Sequence, residues 1–386
     1  MPMRIKVGIA VIIGLVSIST YSRTFIPACI NTYITSGKYG ERFFLDSTNK
    51  NSGIENPKQL RVMSQNFENL GEFKEKTRIK QMVDGVLRQV KLEKTIVKSH
   101  GQNLRMAARI NKQDPDVIIG MEVKDLEAAQ KFSVEYLEDK YQAILIEGND
   151  SRGIDVCYFV KRTLNLDFEV ESHKNYSLTN LPNDPVFSRD FPVLYVRPAG
   201  ATRNSQPVMA IFASHLKSKL GDSDGNDKSF VKRSEQVNAS IAIMGEIEKK
   251  YPGIPMVMGG DFNNDIRVAP EFLPFYKAGL VDSLDFDRNP IPKDFRNTQY
   301  FFKRDDSTPD DKFDSYLISN QLDAMFVNPE FGKYIVLSGI QRDLRPDGTP
   351  SVDPKTPEAV NMRASDHDGL YLIIDFAAML QNLTRQ

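Results

Sequence analysis

Between residues 60 and 376, short apolar runs recur, and one after another they meet side chains that bind metal or phosphate. Asn66 follows Val62-Met63-Ser64-Gln65, Glu122 closes the run 117–121, and His215 closes 210–214. Asp261 and Asn263 come after 256–260, and Asp366 and His367 stand just before Leu370-Tyr371-Leu372-Ile373-Ile374. Strands are rigid, so polar residues at their ends are held converging on one crevice. Singly, such an acid is a helix cap and such an Asn a turn former. The series is what constrains the chain.

The intervening pattern fits. Runs at 60–66, 116–121, 141–147, 154–160, 193–196, 208–214 and 255–259 read as strands, and 125–136 and 234–250 as helices. Turns rich in Gly, Pro, Asn and Asp separate them. This alternation predicts an α/β domain over 60–376, with 377–386 as a C-terminal tail, and no internal repeat or low-complexity tract interrupts it. Residues 72–112 are expected as helix, with Ile79, Met82, Val83, Val86, Leu87 and Val90 at helical spacing. They hold eleven Lys/Arg against four acids. A solvated helix face is the plain reading, and a patch facing phosphate or an anionic surface is the alternative.

Composition removes several classes. The 386 residues carry 50 Lys+Arg against 51 Asp+Glu, with 40% hydrophobic content, which argues against a disordered chain and a multispanning membrane protein. With a net charge of −1, any site for a polyanion must be local. Two cysteines exclude a disulfide framework and a Cys-rich zinc module. Cys157, inside an apolar run, reads as a small buried hydrophobe. Of the four histidines, His100 and His173 are expected in exposed loops, leaving His215 and His367 for chemistry.

The first 22 residues read as an address. Arg4 and Lys6 precede the apolar stretch 7–18, and polar Ser19 to Ser22 follow. That is the order of a signal peptide, with a short uncleaved anchor as the alternative. Cys29 carries only a faint lipoprotein pattern. Export to the periplasm or medium is expected, with 23–59 as a linker or loosely docked arm.

Carboxylates with water suit a hard octahedral cation such as Mg2+, and His and Cys are too few for zinc. A bound cation polarises phosphoryl oxygens, an Asp can orient and deprotonate water, and His and Asn can stabilise developing charge. Neither a phosphate-binding G-x-x-x-x-G-K-[ST] loop nor a G-x-S-x-G elbow is present. Phosphate ester hydrolysis is the chemistry that fits.

Gln65-Asn66-Phe67-Glu68-Asn69-Leu70, the stretch 116–123, His215-Leu216-Lys217-Ser218-Lys219, Gly260-Asp261-Phe262-Asn263-Asn264 and Ser365-Asp366-His367 resemble, in order, the motifs of the endonuclease/exonuclease/phosphatase superfamily. The resemblance covers about 60–376. It implies a four-layer α/β/β/α sandwich of two packed mixed sheets, with the site at their shared edge. It also implies Glu122 as the main Mg2+ ligand, Asn66 beside it and Asp366 helping to place the metal, with Mn2+ as a substitute. Asp261 would orient or deprotonate water, Asn263 would hold the phosphate, and His367 would contact it. The stretch Lys312-Phe313-Asp314-Ser315 matches the family's penultimate strand, making Asp314 the partner of His367. By the same resemblance His215 lies near the phosphate and pairs with Glu147, while Arg152 and Arg189 face substrate phosphate. Asp368 is an extra acid beside the last motif. The loop 221–227 has a partial calcium-loop pattern, leaving Ca2+ open.

The His-Leu-Lys-Ser-Lys motif, Arg233, Gln236 and Phe187-Ser188-Arg189-Asp190 resemble secreted bacterial nucleases of that superfamily. Absence of Trp weakens a membrane-inserting reading. The expectation is therefore an exported, monomeric, Mg2+-dependent endonuclease acting on DNA, with RNA second and no stable membrane insertion once the leader is removed. The alternatives are a phosphatase or phosphodiesterase on phosphoinositides, phospholipids or other small phosphoesters, and an inactive scaffold on the same fold.

Overall fold

The computed structural model describes residues 30–47, 55–83, 86–178, 184–219, 228–286, 290–304, 315–342 and 364–384. The expectations placed on 1–22, Cys29, the loop 221–227 and Asp314 fall outside them.

The first strands are β1 (Ile30–Ser36), β2 (Glu41–Ser47), β3 (Gln59–Leu70), β4 (Glu72–Val83), β5 (Val86–Val97) and β6 (Val117–Val123). The middle of the chain gives β7 (Tyr141–Leu145), β8 (Asp155–Lys161), β9 (Leu166–Glu171), β10 (Val193–Pro198), β11 (Met209–His215) and β12 (Met256–Asp261). The last six are β13 (Val281–Asp282), β14 (Gln299–Arg304), β15 (Ser315–Asn320), β16 (Asp323–Val327), β17 (Ile335–Gln341) and β18 (Gly369–Asp375). The helices are α1 (His100–Gln113), α2 (Leu126–Tyr136), α3 (Lys228–Lys250), α4 (Leu273–Lys277), α5 (Pro329–Gly332) and α6 (Phe376–Leu383).

Two large mixed sheets result. One runs β1-β2-β9-β10-β11-β12-β16-β13, the other β17-β18-β3-β6-β8-β7. Each contains one parallel pair, β11 with β12 and β3 with β6, and both pairs are interior. Parallel pairs need long crossovers. α3 supplies one, and the stretch from β4 to α1 supplies the other.

Three apolar clusters define four layers. Between the sheets lie Val62, Val117, Ile119, Met121, Val156, Ile211, Val257 and Met325. On the outer face of the larger sheet, Val237, Ile243 and Ile247 of α3 pack with Tyr195, Phe212, Met258 and Phe326. On the outer face of the smaller sheet, Met106 and Ile110 of α1 and Phe132 of α2 pack with Met63, Ile118, Cys157 and Phe159. The expected α/β/β/α sandwich is thus present, and Cys157 is buried within it.

Four expectations need correction. Residues 30–47 are not a loose linker: β1 and β2 form a hairpin that extends the larger sheet along β9, burying Phe43, Phe44 and Leu45. The stretch 72–97 is a hairpin rather than helix, and only His100–Gln113 is helical. Its register sets Phe73 against Ile96, Ile79 against Val90 and Val83 against Val86, a two-residue apolar pairing that outcompetes the helical spacing. In sequence, Asp84-Gly85 lies between the strands, a pair strongly favoured in two-residue hairpin loops. The expected tail is instead α6, whose Phe376 and Met379 close the core between the sheets. His173 is buried, its Nδ1 2.9 Å from the Phe191 carbonyl oxygen.

Candidate active site

The strand ends converge where the two sheets meet. In the larger sheet the register places His215 beside Asp261 and Asp261 beside Asp323, side by side across β11, β12 and β16. In the smaller sheet Asn66 ends the regular β3 pairing opposite Met121, one residue before Glu122. Asn66 joins the sheets: its Nδ2 donates to Asp261 Oδ2 at 3.2 Å, and its Oδ1 accepts the Glu68 amide at 2.8 Å.

Backbone strain is concentrated here. Glu122 (φ 60°) and Asn263 (φ 56°) adopt left-handed conformations, as do Glu68 and Asn69 where the β3 register shifts between Asn66 and Leu70. Such positions in non-glycine residues persist where surrounding structure enforces them. Gly260 (φ 158°) is obligatory: a Cβ there would lie 1.8 Å from the Ser214 carbonyl oxygen. Its absence of side chain lets β12 lie against β11 immediately before Asp261.

Asp261 is the hub. Its Oδ1 accepts the Asn263 amide at 2.8 Å, while its Oδ2 lies 3.5 Å from His215 Nε2 and 4.0 Å from His367 Nε2. Burial pushes its carboxyl up, and although His367 opposes this, Asp323 and Glu122 add to the rise, leaving it at about 7. Glu122 is also raised, by burial and then by repulsion from Asp366, with His367 and Asn66 working the other way. Its Oε2 accepts the Asn69 amide at 3.2 Å, and its Oε1 lies 4.0 Å from His215 Nε2.

The two histidines are held in opposite states. Burial pulls both imidazoles down. For His367 the surrounding Asp323, Asp366 and Asp261 outweigh burial and hold it well above the ordinary range. For His215 the charges of Arg189, His367 and Arg152 add to burial and hold it well below. His367 is therefore the cation near neutral pH and His215 the neutral ring.

Here the site departs from two expected pairings. His367 Nδ1 is 2.7 Å from Asp323 Oδ2, so Asp323 holds the position that sequence reasoning gave to Asp314. His215 Nδ1 is buried without a hydrogen-bond partner, so the expected pair with Glu147 is not made. Glu147 is exposed, its carbonyl accepting Lys174 Nζ at 3.2 Å.

The other expected residues are brought in. Arg189 is buried, with Nε 3.2 Å from Asp150 Oδ2 and NH1 donating to the Leu216 carbonyl at 3.2 Å. Asn263 Nδ2 donates to that same carbonyl at 3.0 Å, so the residue after His215 ties both down. Arg152 is half-exposed and chelates Asp150 through Nε and NH2, both at 3.1 Å. Asp366 makes a weak contact with Ser365 Oγ at 3.4 Å and exerts its charge on Glu122 and His367. Asp368 faces Arg342 NH1 at 2.8 Å and so is a structural acid.

Sequence reasoning missed several supporting residues. Gln299 Nε2 lies 3.0 Å from His367 Nε2. Arg109, buried in α1, donates through NH1 to the His367 carbonyl at 2.7 Å and to Gln65 Oε1 at 2.9 Å. Glu271 was also missed: it pairs with Arg233, which the sequence had singled out (2.9 Å), and the pair bonds Lys217 on one side (3.0 Å) and Asn264 on the other (2.7 Å), locking two motif loops together. Asp323 had a visible signal: it opens the apolar run Ala324-Met325-Phe326-Val327, the same strand-end rule that found the others. Gln299 and Arg109 had none, since only folding brings them to His367.

Among the described residues, two overlapping acid and histidine groups converge closely enough to hold a cation: Glu122, His215 and Asp261, and Asp261, Asp323 and His367. Asp323 and His367 are already spent on each other, which leaves the first group, with Asp366 nearby. The raised carboxyls of Glu122 and Asp261 are crowded negative charges that a divalent cation would relieve. The donor set fits such an ion.

No family model matches the sequence, and no curated protein matches it. Among solved structures the chain is similar to an endonuclease/exonuclease/phosphatase family protein from Bacteroides thetaiotaomicron, at 17% identity over 82% of this chain and 98% of that one, with a TM-score of 0.49. It is also similar to TDP2 of D. rerio complexed with single strand DNA product (16% identity, 82% and 99% coverage, TM-score 0.48). A mannosyl-6-phosphatase from Bacteroides thetaiotaomicron gives 15% identity, 82% and 99% coverage and a TM-score of 0.48. These neighbours are members of the endonuclease/exonuclease/phosphatase superfamily.

Proposed function

We propose that this chain is a metal-dependent phosphoester hydrolase, and more finely an exported Mg2+-dependent endonuclease acting on DNA, with RNA as the second substrate. One observation carries the hydrolase reading. Asp261 Oδ2 faces His215 Nε2 and His367 Nε2 from a buried, strand-anchored position, with His367 backed by Asp323. This places a carboxylate poised near neutrality beside a cationic imidazole, the pairing that water attack on phosphorus requires.

In this reading Glu122, with Asn66 and Asp366 near it, would hold Mg2+, which when bound would supply charge neutralisation to an anionic phosphoester. Asp261 orients the attacking water and takes its proton. His367, kept protonated by Asp323, stabilises charge growing on the phosphoryl oxygens. Asp323 holds the imidazole at Nδ1, and Arg109 holds the His367 backbone through its carbonyl. Arg189 and Arg152 share one acid, Asp150, and their excess positive charge reaches His215, favouring an anionic substrate.

The finer reading rests on sequence. The basic, apolar and polar order of residues 1–22 supports export, and the likeness of 215–219 to secreted nucleases supports a nucleic acid substrate. The test is incubation of the chain lacking residues 1–22 with supercoiled plasmid, in Mg2+ or EDTA, beside Asp261→Ala. Mg2+-dependent nicking absent from the variant is the expected result. Turnover of small phosphoesters with intact plasmid would move the substrate to phosphoinositides, phospholipids or other small phosphoesters, and no turnover of either would leave a scaffold.

A further inference from the structure

β4 and β5 form a ribbon of twelve residue pairs, from Glu72 against Val97 to Val83 against Val86. At about 3.3 Å per residue it reaches roughly 35–40 Å. It starts three residues after Asn69, whose amide holds Glu122, so its foot stands at the rim of the site. Positions two apart share a face of a strand. Lys74, Lys76, Arg78, Lys80 and Met82 occupy one such set on β4, and the register sets them against Thr95, Glu93, Lys91, Gln89 and Leu87. Alternate positions on this side of the ribbon therefore hold five cations against two acids, Glu72 and Glu93, the latter 3.3 Å from Lys74 Nζ. The other face carries the apolar pairs Phe73/Ile96, Ile79/Val90 and Val83/Val86. In a chain of net charge −1, this is a local concentration of positive charge on an element rooted beside the site. A free two-stranded ribbon is marginal in water, and like charges along one face weaken it further unless a polyanion lies on them. The strands of the ribbon contain one aromatic, Phe73, and neither Tyr nor Trp, which favours a polyanion over a bilayer interface.

We propose that the β4–β5 ribbon is an arm that grips the sugar-phosphate backbone of a nucleic acid, several phosphates away from the bond being cut. This rests on the nucleic-acid reading above. The contacts are to phosphate, so the arm adds affinity and reach without base preference.

The test removes the five cations together, Lys74→Thr, Lys76→Thr, Arg78→Thr, Lys80→Thr and Lys91→Thr, since threonine keeps strand propensity. Binding of a labelled DNA duplex of about 30 base pairs is followed across salt in EDTA, each lost phosphate contact lowering the log–log salt slope by about 0.9. Hydrolysis of bis(p-nitrophenyl) phosphate in Mg2+ reports the site itself. The variant should lose at least about tenfold in duplex affinity near 0.15 M salt and about 3–4 in slope, with small-diester turnover within about twofold. An unchanged slope in a wild type that binds DNA overturns the arm and leaves the nuclease standing. A wild type that cleaves the small diester but neither binds nor cuts DNA or RNA overturns both. Loss confined to phosphatidylserine vesicles, with DNA binding intact, overturns the proposal in favour of a membrane surface. Should the fivefold variant lose small-diester turnover, the pairs Lys74→Thr/Lys76→Thr and Lys80→Thr/Lys91→Thr decide. Each should lower the slope by about 2, and unchanged slopes overturn the proposal.

Discussion

At the scale of single residues, the site is governed by which carboxylate each histidine meets. Asp323 holds His367 Nδ1 at 2.7 Å, fixing both tautomer and charge. Asp323→Asn should lower kcat/KM by about 10²–10⁴, while Asp314→Asn should stay near wild type. The reverse ranking in steady-state kinetics would return the role to Asp314. A second residue sets a pH response away from the chemistry. Asp190 is buried, its Oδ1 accepting the His173 amide at 2.8 Å and the Phe191 amide at 2.7 Å, and burial pushes its carboxyl up to about 7. An acid raised in the fold binds more protons folded than unfolded, so its contribution is full below about pH 4 and is lost as pH rises toward about 7. Asp190→Asn keeps an acceptor and removes the titration. Urea unfolding from pH 4 to 8 should show the wild-type decline over that window flattened in the variant, and equal slopes would show that Asp190 titrates normally.

At the scale of elements, the parallel pairing of β11 with β12 leaves no room for a side chain at Gly260. Gly260→Ala would press a Cβ against the Ser214 carbonyl just before Asp261. The expected cost is about 3 kcal/mol or more, read from the urea midpoint, with activity per folded molecule falling as well. A variant that is merely less stable but fully active would show that the strand pair can part without moving Asp261. The ribbon makes a complementary point about period. Val83, Val86, Leu87 and Val90 satisfy a helical spacing in sequence, yet pair across a hairpin in space, and the sequence between the strands, Asp84-Gly85, is a dipeptide that two-residue hairpin loops favour. The same holds for residues 30–47, where Phe43 and Leu45 alternate toward the core and earn a place on the sheet edge.

At the scale of the whole molecule, the two sheets share one interior and one site. Phe376 of α6 lies at the opposite end of β18 from the His367 loop and belongs to the cluster between the sheets. Phe376→Ala should cost about 3–5 kcal/mol by opening a cavity there, with kcat unchanged in the fraction that remains folded. A large loss of kcat would mean that the core and the site are mechanically linked. Metal binding should also register globally. Mg2+ at about a hundred times its Kd should stabilise the fold by about 2.7 kcal/mol. Glu122→Gln should abolish that gain, while raising the metal-free stability near pH 8 by removing a crowded charge. Thermal unfolding with and without Mg2+ checks both. An equal Mg2+ response in wild type and variant would place the ion elsewhere.

The alternation of apolar runs, and the polar residue closing each one, lie within short windows of chain. The sequence by itself therefore determined the α/β class, most strands and helices α2 and α3, and it singled out Asn66, Glu122, His215, Asp261, Asn263, Asp366 and His367 as candidate site residues. Each of those decisions depends on neighbours a few residues away. What only the tertiary structure decided is pairing at a distance. Asp323 rather than Asp314 at His367, Arg109 beneath the His367 carbonyl, Gln299 at its Nε2 and the unpartnered His215 Nδ1 all depend on sheet register and on how β16, α1 and β14 are brought to one edge. A hydrogen bond forms where distance and angle allow. Distance between residues 44 or 258 positions apart is set by the packing of the two sheets, not by the chain between them.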